Sequence, residues 1–167
     1  DFEGLKFRAY SPVTARMAEE LGALPTTIEY SEIPQAFATG LVQSMYTSAQ
    51  TGIDSQAWDF TKYFMNVGGN HSLDLTMISK AAFGKLSPEL QKVLVDAAAI
   101  AQKRGWEMSA QAEIDQVATL EKNGMKAVKP SPAFMAELNK IGETLAAEWL
   151  KSAGKTGEEI LKSYRAM

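Results

Sequence analysis

The chain of 167 residues has no cysteine and a single histidine, His71. Without cysteine it can form no disulfide, thiol nucleophile, thiolate zinc site or cysteine-ligated iron–sulfur cluster. One imidazole cannot build a metal site that takes two or three histidine ligands from one chain. The lack of cysteine does not indicate a compartment, because periplasmic and cytosolic proteins can both lack it.

Long apolar runs and blocks of positive charge are also missing. No run approaches the ~18 apolar residues that a membrane span needs. The 17 Lys and Arg residues against 20 Asp and Glu residues give a net charge of −3, which argues against nucleic acid as a partner. With 46% hydrophobic and 22% charged residues, the sequence is typical of a folded protein, and its length suits one domain core of roughly 100–200 residues.

The first 46 residues alternate between strand and helix patterns. Ser11 and Pro12 form a helix start, and Gly22 suits a helix end. Ser31 is a candidate cap for a second, short helix. The predicted elements are strand 5–9, helix 12–21, strand 25–30, helix 32–38 and strand 41–46. This β-α-β-α-β order predicts a parallel α/β sheet.

The second half is mostly helical. Residues 47–64 suggest a short helix and a turn, and 71–79 a strand. Ser87-Pro88-Glu89 opens a helix with no strong breaker before Asn123-Gly124. About 35 residues of helix would measure roughly 50 Å, more than the width of a small domain, so this helix should brace more than one globular unit. A strand at 125–128, a helix from Ser131-Pro132 to Gly154 and a helix at 156–165 follow.

These elements suggest four segments. Residues 1–70 would form an α/β ligand-binding lobe and 71–86 a strand crossing into another lobe. Residues 87–124 would form the long helix, and 125–167 the C-terminal strand and helices.

Arg8 lies in the middle of the first predicted strand, on the face opposite Phe7 and together with Lys6 and Tyr10. Two interpretations are open. The face is either exposed to solvent, or it holds the Arg8 guanidinium rigidly at the end of a parallel strand. Ligands of open α/β sheets bind beyond the carboxyl ends of the strands. An arginine fork there suits a carboxylate, which it can hold through two hydrogen bonds.

Aromatic and hydroxyl side chains lie near the ends of the other two predicted strands. Tyr30 would end the second strand, and Met45-Tyr46-Thr47 the third. If the sheet is parallel, these residues share an edge with Arg8 and would line a pocket for a small organic anion. The tyrosines could equally be ordinary packing residues at strand ends.

Other chemistry finds little support in the residues. His71 could be combined with Asp74, but no Gly-x-Ser-x-Gly motif exists, so His71 is interpreted as a structural or pocket-wall residue. Gly68-Gly69-Asn70 lacks the spacing of a nucleotide-binding loop and is interpreted as a turn. Two alternatives stay open: an α/β hydrolase-like or metal-assisted enzyme using the acids Asp54, Asp59 and Asp74, and an interaction module joined through the apolar residues of the long helix, such as Val93 and Ile100.

The order of several short motifs resembles the extracytoplasmic solute receptors of TRAP transporters (tripartite ATP-independent periplasmic transporters, DctP type). The likeness covers nearly the whole chain. The matching segments are Gly4-Leu5-Lys6-Phe7-Arg8, Leu21-Gly22-Ala23-x-Pro25, Tyr30-Ser31-Glu32, Ala38-Thr39-Gly40-Leu41-Val42, Lys62-Tyr63, Asn70-His71 and Leu86-Ser87-Pro88-Glu89.

The resemblance implies a fold and a location. It implies an α/β, type II periplasmic-binding-protein-like fold with βαβ units, a cleft between two domains and a long helix that spans both. It implies a periplasmic receptor with no catalytic residues, which delivers a small organic acid to the membrane permease subunits. Family receptors are longer, so this chain is expected to be an incomplete receptor carrying one wall of the site, with the N-terminal half as a further partner.

The resemblance also assigns residue roles. Arg8 would bind the substrate carboxylate, and Tyr30 would contact the ligand. The family's usual Asn after the third strand is replaced by Thr47, and Tyr46 with Thr47-Ser48 suggests a pocket unlike that of the sialic acid receptors. No cofactor is predicted; some relatives bind a metal with the carboxylate, and Asp74 is the nearest candidate ligand. The predicted ligand-binding residues are Arg8, Tyr10, Tyr30, Met45, Tyr46, Thr47, Ser48 and His71.

Overall fold

A computed structural model describes residues 2–69 and 75–166 of the chain. The strands in these ranges are β1 (Lys6–Ala9), β2 (Leu24–Thr27), β3 (Ser44–Met45), β4 (Tyr63–Met65) and β5 (Lys126–Val128). The helices are α1 (Pro12–Glu20), α2 (Ile33–Ala38), α3 (Ala49–Asp54), α4 (Lys80–Phe83), α5 (Pro88–Lys122) and α6 (Pro132–Arg165). Two short 3₁₀ helices cover Tyr30–Glu32 and Ala57–Asp59.

The first sheet is parallel and has the order β2-β1-β3, which confirms the predicted α/β pattern. In its register, Arg8 of β1 lies opposite Thr26 of β2 and Met45 of β3. Two buried clusters cover this lobe. One cluster contains Phe7, Ala18 and Ala23. The other contains Ile28, Ala36 and Val42. The central position of β1 therefore gives its residues the least access to solvent, and Phe7, Arg8 and Ala9 are all buried.

Helix α1 begins at the carboxyl end of β1 through a capping box. The Ser11 hydroxyl accepts a hydrogen bond from the Thr14 amide at 3.2 Å, and the Thr14 hydroxyl accepts one from the Ser11 amide at 3.0 Å. Pro12 occupies the first turn, where its missing N–H has no cost. This reciprocal cap fixes where the chain leaves β1, and therefore where Tyr10 lies.

A second parallel sheet pairs β4 with β5. Below it, Ala49, Ala57, Leu120 and Met125 form a buried cluster that joins α3 to the end of α5. Gly52 of α3 faces Leu120 at this junction, and a Cβ there would lie 3.4 Å from Leu120 Cδ2, an ordinary packing distance.

The long helix is confirmed: α5 has 35 residues and begins at the Ser87 cap. Only its last part is packed within the described residues, and the predicted apolar stripe is open, with Val93 61% and Ile100 72% exposed. Among the described residues, no helix combines the length and the apolar character that a membrane crossing requires.

The C-terminal helix α6 bends at Gly154, whose φ of 59° and ψ of −150° are not helical, so the predicted break between two helices is confirmed. Its first half returns to α1. The Phe2 and Phe134 rings stack with centroids 5.5 Å apart, and Arg16 Nη2 pairs with Glu148 Oε1 at 2.9 Å.

Several predicted strand boundaries are wrong. The third strand is only Ser44–Met45, because the Leu41 and Val42 amides both donate to the Ala36 carbonyl at the end of α2. The second strand ends at Thr27, and Ser31 lies inside a 3₁₀ helix instead of capping α2. Residues 75–79 form no strand, and 71–74 lie outside the described residues. The sequence pattern also missed β4, which needs its distant partner β5.

Candidate ligand-binding site

A cavity of about 350 Å³ opens at the carboxyl ends of β1 and β3. The parallel register brings these two strand ends together, as the sequence predicted. The lining residues are Arg8, Tyr10, Tyr30, Tyr46, Thr47, Ser48 and Thr51. The cavity therefore unites six of the eight residues predicted to bind a ligand.

Arg8 is the charged centre of this cavity. It is only 4% exposed, so its own side chain is not solvated, although Lys6 and Tyr10 of the same strand face are exposed. Its Nε donates a hydrogen bond to the Ile28 carbonyl at 3.0 Å. The guanidinium carbon lies 5.4 Å from the centre of the Tyr10 ring, which is cation–π distance. These contacts hold the guanidinium in one orientation.

The charge of Arg8 is poorly compensated. Burial lowers the pKa of Arg8, while Tyr10 and Glu29 act in the opposite direction. Within residues 2–69 and 75–166, no carboxylate forms an ion pair with it. A buried positive charge is costly without a paired anion. The arrangement therefore favours binding of an anion from outside the described residues.

The tyrosines supply neutral hydrogen-bonding groups. Burial, and then the nearby Tyr10, raise the pKa of Tyr46. Burial, followed by the charge of Asp54 and a hydrogen bond to it, raises the pKa of Tyr30. Both phenols are therefore protonated at neutral pH and can donate or accept hydrogen bonds.

Tyr30 reaches the cavity from a different element than predicted. It begins the 3₁₀ helix Tyr30–Glu32 and does not end β2. The Ile28 amide still bonds to the Ala9 carbonyl at 3.2 Å, after which the chain turns. Tyr30 therefore lies at the predicted edge of the sheet, near Arg8, although its predicted secondary structure was wrong.

Thr47 and Ser48 lie between β3 and α3, where Ser48 caps the helix. Its hydroxyl accepts a hydrogen bond from the Thr51 amide at 3.1 Å and lies 3.2 Å from the Thr51 hydroxyl. The cap brings Thr51 into the cavity wall. Sequence reasoning missed Thr51. The signal was available, since a serine cap contacts the residue three positions later.

Met45 is the one described residue of the predicted set that does not line this cavity. Met45 packs against the cluster around Ala49 and Leu120, although it lies opposite Arg8 in the sheet register. Met45 therefore stays a prediction as a ligand-binding residue. His71 lies outside the described residues, as does Asp74.

The acidic residues do not form a metal site in the part of the chain that the structure describes. No group of three or more His, Cys, Asp or Glu residues there could hold an ion. Asp54 accepts a hydrogen bond from Gln50 Nε2 at 2.7 Å, and it also influences Tyr30. Asp54 therefore supports the wall of the cavity.

The fold and cavity define an α/β solute-binding protein, and comparison with known proteins gives the family. Residues 1–152 match the model of the bacterial extracellular solute-binding protein family 7, DctP. The chain belongs to this family, which confirms the resemblance to TRAP solute receptors. The family consists of binding proteins, so the enzyme alternative does not hold.

Similar proteins agree with this assignment. DctP7 of Bordetella pertussis, an extracytoplasmic solute receptor binding pyroglutamic acid, is 38% identical, with a TM-score of 0.84 over 99% of this chain and 55% of that chain. A marine metagenome TRAP solute-binding protein, specific for pyroglutamate, is 32% identical, with a TM-score of 0.81 over 100% of this chain and 55% of that chain.

Among curated relatives, the ectoine/5-hydroxyectoine-binding periplasmic protein UehA of Ruegeria pomeroyi is 22% identical over 169 residues, 99% of this chain and 50% of the relative. The chain thus spans about half the length of the curated relatives that it matches. Its fold corresponds to about half of a type II periplasmic binding protein, and its homologues are periplasmic or extracytoplasmic.

Proposed function

We propose that this chain supplies one wall of the ligand site of a periplasmic TRAP receptor, which binds a small organic acid through Arg8 and delivers it to the membrane permease subunits. The observation that carries the proposal is the burial of Arg8 in a cavity without a paired carboxylate among the described residues.

The hydrogen bonding of Arg8 suits a carboxylate ligand. Its Nε donates to the Ile28 carbonyl, and the residue also lines the cavity. Two N–H groups of a guanidinium match the two oxygens of a carboxylate, and such charge-assisted pairs are the stronger hydrogen bonds. The ligand charge would compensate the buried guanidinium.

Pyroglutamate is the ligand class we favour. It carries one carboxylate on a small lactam ring, and three solved relatives above 30% identity bind it. Arg8 is the one cation among the lining residues of the described wall. The hydroxyls of Tyr30, Tyr46 and Thr47 offer neutral donors and acceptors for a lactam N–H and C=O.

The second wall would come from the other half of such a receptor, because this chain spans 55% of the similar solved structures. A ligand that contacts both walls only in a closed state favours closure by its difference in affinity for the two states. No bond is broken in this cycle, so no general base is needed.

Isothermal titration calorimetry of the complete receptor with L-pyroglutamate tests the role of Arg8. Arg8→Ala should weaken binding by about 2–5 kcal/mol, the scale for truncating one partner of a buried charge pair. Arg8→Lys should retain part of the affinity, since it keeps the charge but loses the fork.

Arg165→Ala is the matched control. Arg165 is an exposed arginine that pairs with Glu143 near the end of α6, so its removal should leave the affinity unchanged. Equal affinity of the Arg8→Ala and wild-type proteins would contradict the proposed anchor.

A further inference from the structure

The segment 66–69 leaves β4 and passes directly over Tyr46 of the cavity wall. A methyl group added at Gly69 would lie 2.8 Å from the Tyr46 hydroxyl oxygen and 3.7 Å from its Cζ. A Cβ essentially never lies this close to another heavy atom, so the end of the Tyr46 side chain would have to shift to admit it. The absence of a side chain at Gly69 is therefore what lets the segment and the tyrosine occupy their observed positions.

The two neighbouring glycines have different physical roles. Gly68 has a φ of +56°, which other residues rarely adopt, but there is open space where its Cβ would be. Gly69 has no such positive φ, but a Cβ there would push against the hydroxyl end of the Tyr46 side chain. Gly68 is needed for the course of the backbone, whereas Gly69 is needed for contact with the site.

Asn66 anchors the same segment to the long helix. Its Nδ2 donates a hydrogen bond to Glu113 Oε1 of α5 at 3.0 Å, and its Oδ1 accepts one from the Gly68 amide at 3.2 Å. On the other side of the contact, Tyr46 packs against the cluster around Phe7 in the first sheet. The Gly69–Tyr46 contact therefore joins an element fixed on α5 to the wall of the cavity.

We propose that Gly69 is a positioning residue for ligand binding. Because Gly69 has no side chain, its backbone packs directly against Tyr46 and determines where the Tyr46 hydroxyl lies in the cavity. This inference rests on the proposed function, because it assigns a role within the same site. A larger residue at 69 would displace the Tyr46 hydroxyl from its place in the cavity wall, and specificity would change with it.

A double-mutant cycle in the complete receptor tests the proposal. Gly69→Ala should weaken L-pyroglutamate binding roughly fivefold to tenfold, the scale of a typical damaging substitution. Tyr46→Phe removes the blocking oxygen and leaves Cζ at an ordinary distance of 3.7 Å. The double variant should therefore bind as well as Tyr46→Phe alone, so the two effects do not add.

Gly142→Ala is the matched control, because a Cβ at this glycine of α6 meets nothing within 4 Å; it should bind like wild type. Wild-type affinity in Gly69→Ala, or a double variant that binds more weakly than Tyr46→Phe, would overturn the proposal.

Urea unfolding of the wild type, Gly69→Ala, Tyr46→Phe and the double variant measures the same contact without a ligand. A steric contact predicts that Gly69→Ala destabilises the wild type more than it destabilises the Tyr46→Phe variant. Equal destabilisation in both backgrounds would overturn the contact. The stability coupling between Gly69→Ala and Tyr46→Phe could be present while the wild type binds no organic acid. In that case the proposed function would be wrong although the contact itself is real.

Discussion

At the residue scale, the decisive feature is a positive charge that the fold buries. Arg8 is 4% exposed, lies in the central strand of its sheet and is oriented by the Ile28 carbonyl and the Tyr10 ring. The sequence left two interpretations of Arg8 open, because alternation along a strand places a side chain on a face but does not show what covers that face. One of its contacts comes from the Ile28 carbonyl, 20 positions away in the chain, and local alternation cannot predict it.

A second residue-scale feature is the ion pair between α1 and α6. Arg16 lowers the pKa of the Glu148 carboxyl, chiefly through a hydrogen bond, and Glu148 in turn raises the pKa of Arg16. Because the pKa of Glu148 is lower in the folded state, its contribution to stability is present above the unfolded value and is lost as pH falls through the folded value.

Glu148→Gln should therefore reduce the free energy of unfolding at pH 7, and the difference from wild type should shrink as the pH falls below about 4.5. Urea unfolding between pH 3 and 7 measures this. In an Arg16→Met background the substitution should have little effect at any pH. A difference that grows toward acid pH would have the opposite sign and contradict the assignment.

Residue-scale reasoning from the sequence missed Thr51 and could not have found Gly69. Thr51 joins the cavity because Ser48 caps α3, a local relation that was readable in principle. Gly69 becomes part of the site because it lies against Tyr46, 23 positions earlier in the chain. The sequence around either residue does not predict this contact.

At the scale of elements, helix starts were predictable and short strands were not. Ser11-Pro12, Ser87-Pro88 and Ser131-Pro132 each begin a helix as predicted, because a cap acts through its own next three residues. The strand β4 exists only through pairing with β5, about 60 residues away. Such pairing depends on the tertiary fold and leaves a weak local pattern.

The junction of α3 and α5 carries an element-scale prediction. Leu120 is 1% exposed and touches Gly52, so Leu120→Ala should reduce the free energy of unfolding by about 2–5 kcal/mol. Urea denaturation followed by circular dichroism measures the loss. Ile160→Ala is the comparison, since Ile160 of α6 is 55% exposed and should cost much less. Similar losses for both would show that α5 does not dock through Leu120.

At the scale of the whole molecule, the long helix presents apolar residues that the described part of the chain leaves exposed. Val93, Ile100 and Trp106 are between 61% and 72% exposed. The chain corresponds to 55% of the similar solved structures, and we expect the remainder of such a receptor to pack on this face. The sequence predicted this helix and predicted that it is longer than one small domain is wide. An apolar stripe on a helix does not, however, identify the surface that packs against it. A self-associating module, the remaining alternative, would use the same residues.

The most direct test of the receptor assignment is native mass spectrometry of the complete protein, purified without added ligand and then denatured to identify what it releases. The wild type should release a small carboxylic acid, with pyroglutamate the expected species, and Arg8→Ala should release much less. A wild-type protein that carries no acid and takes up none from a mixture of organic acids would contradict the proposed function. Equal retention by the wild type and Arg8→Ala would contradict the role of the buried arginine.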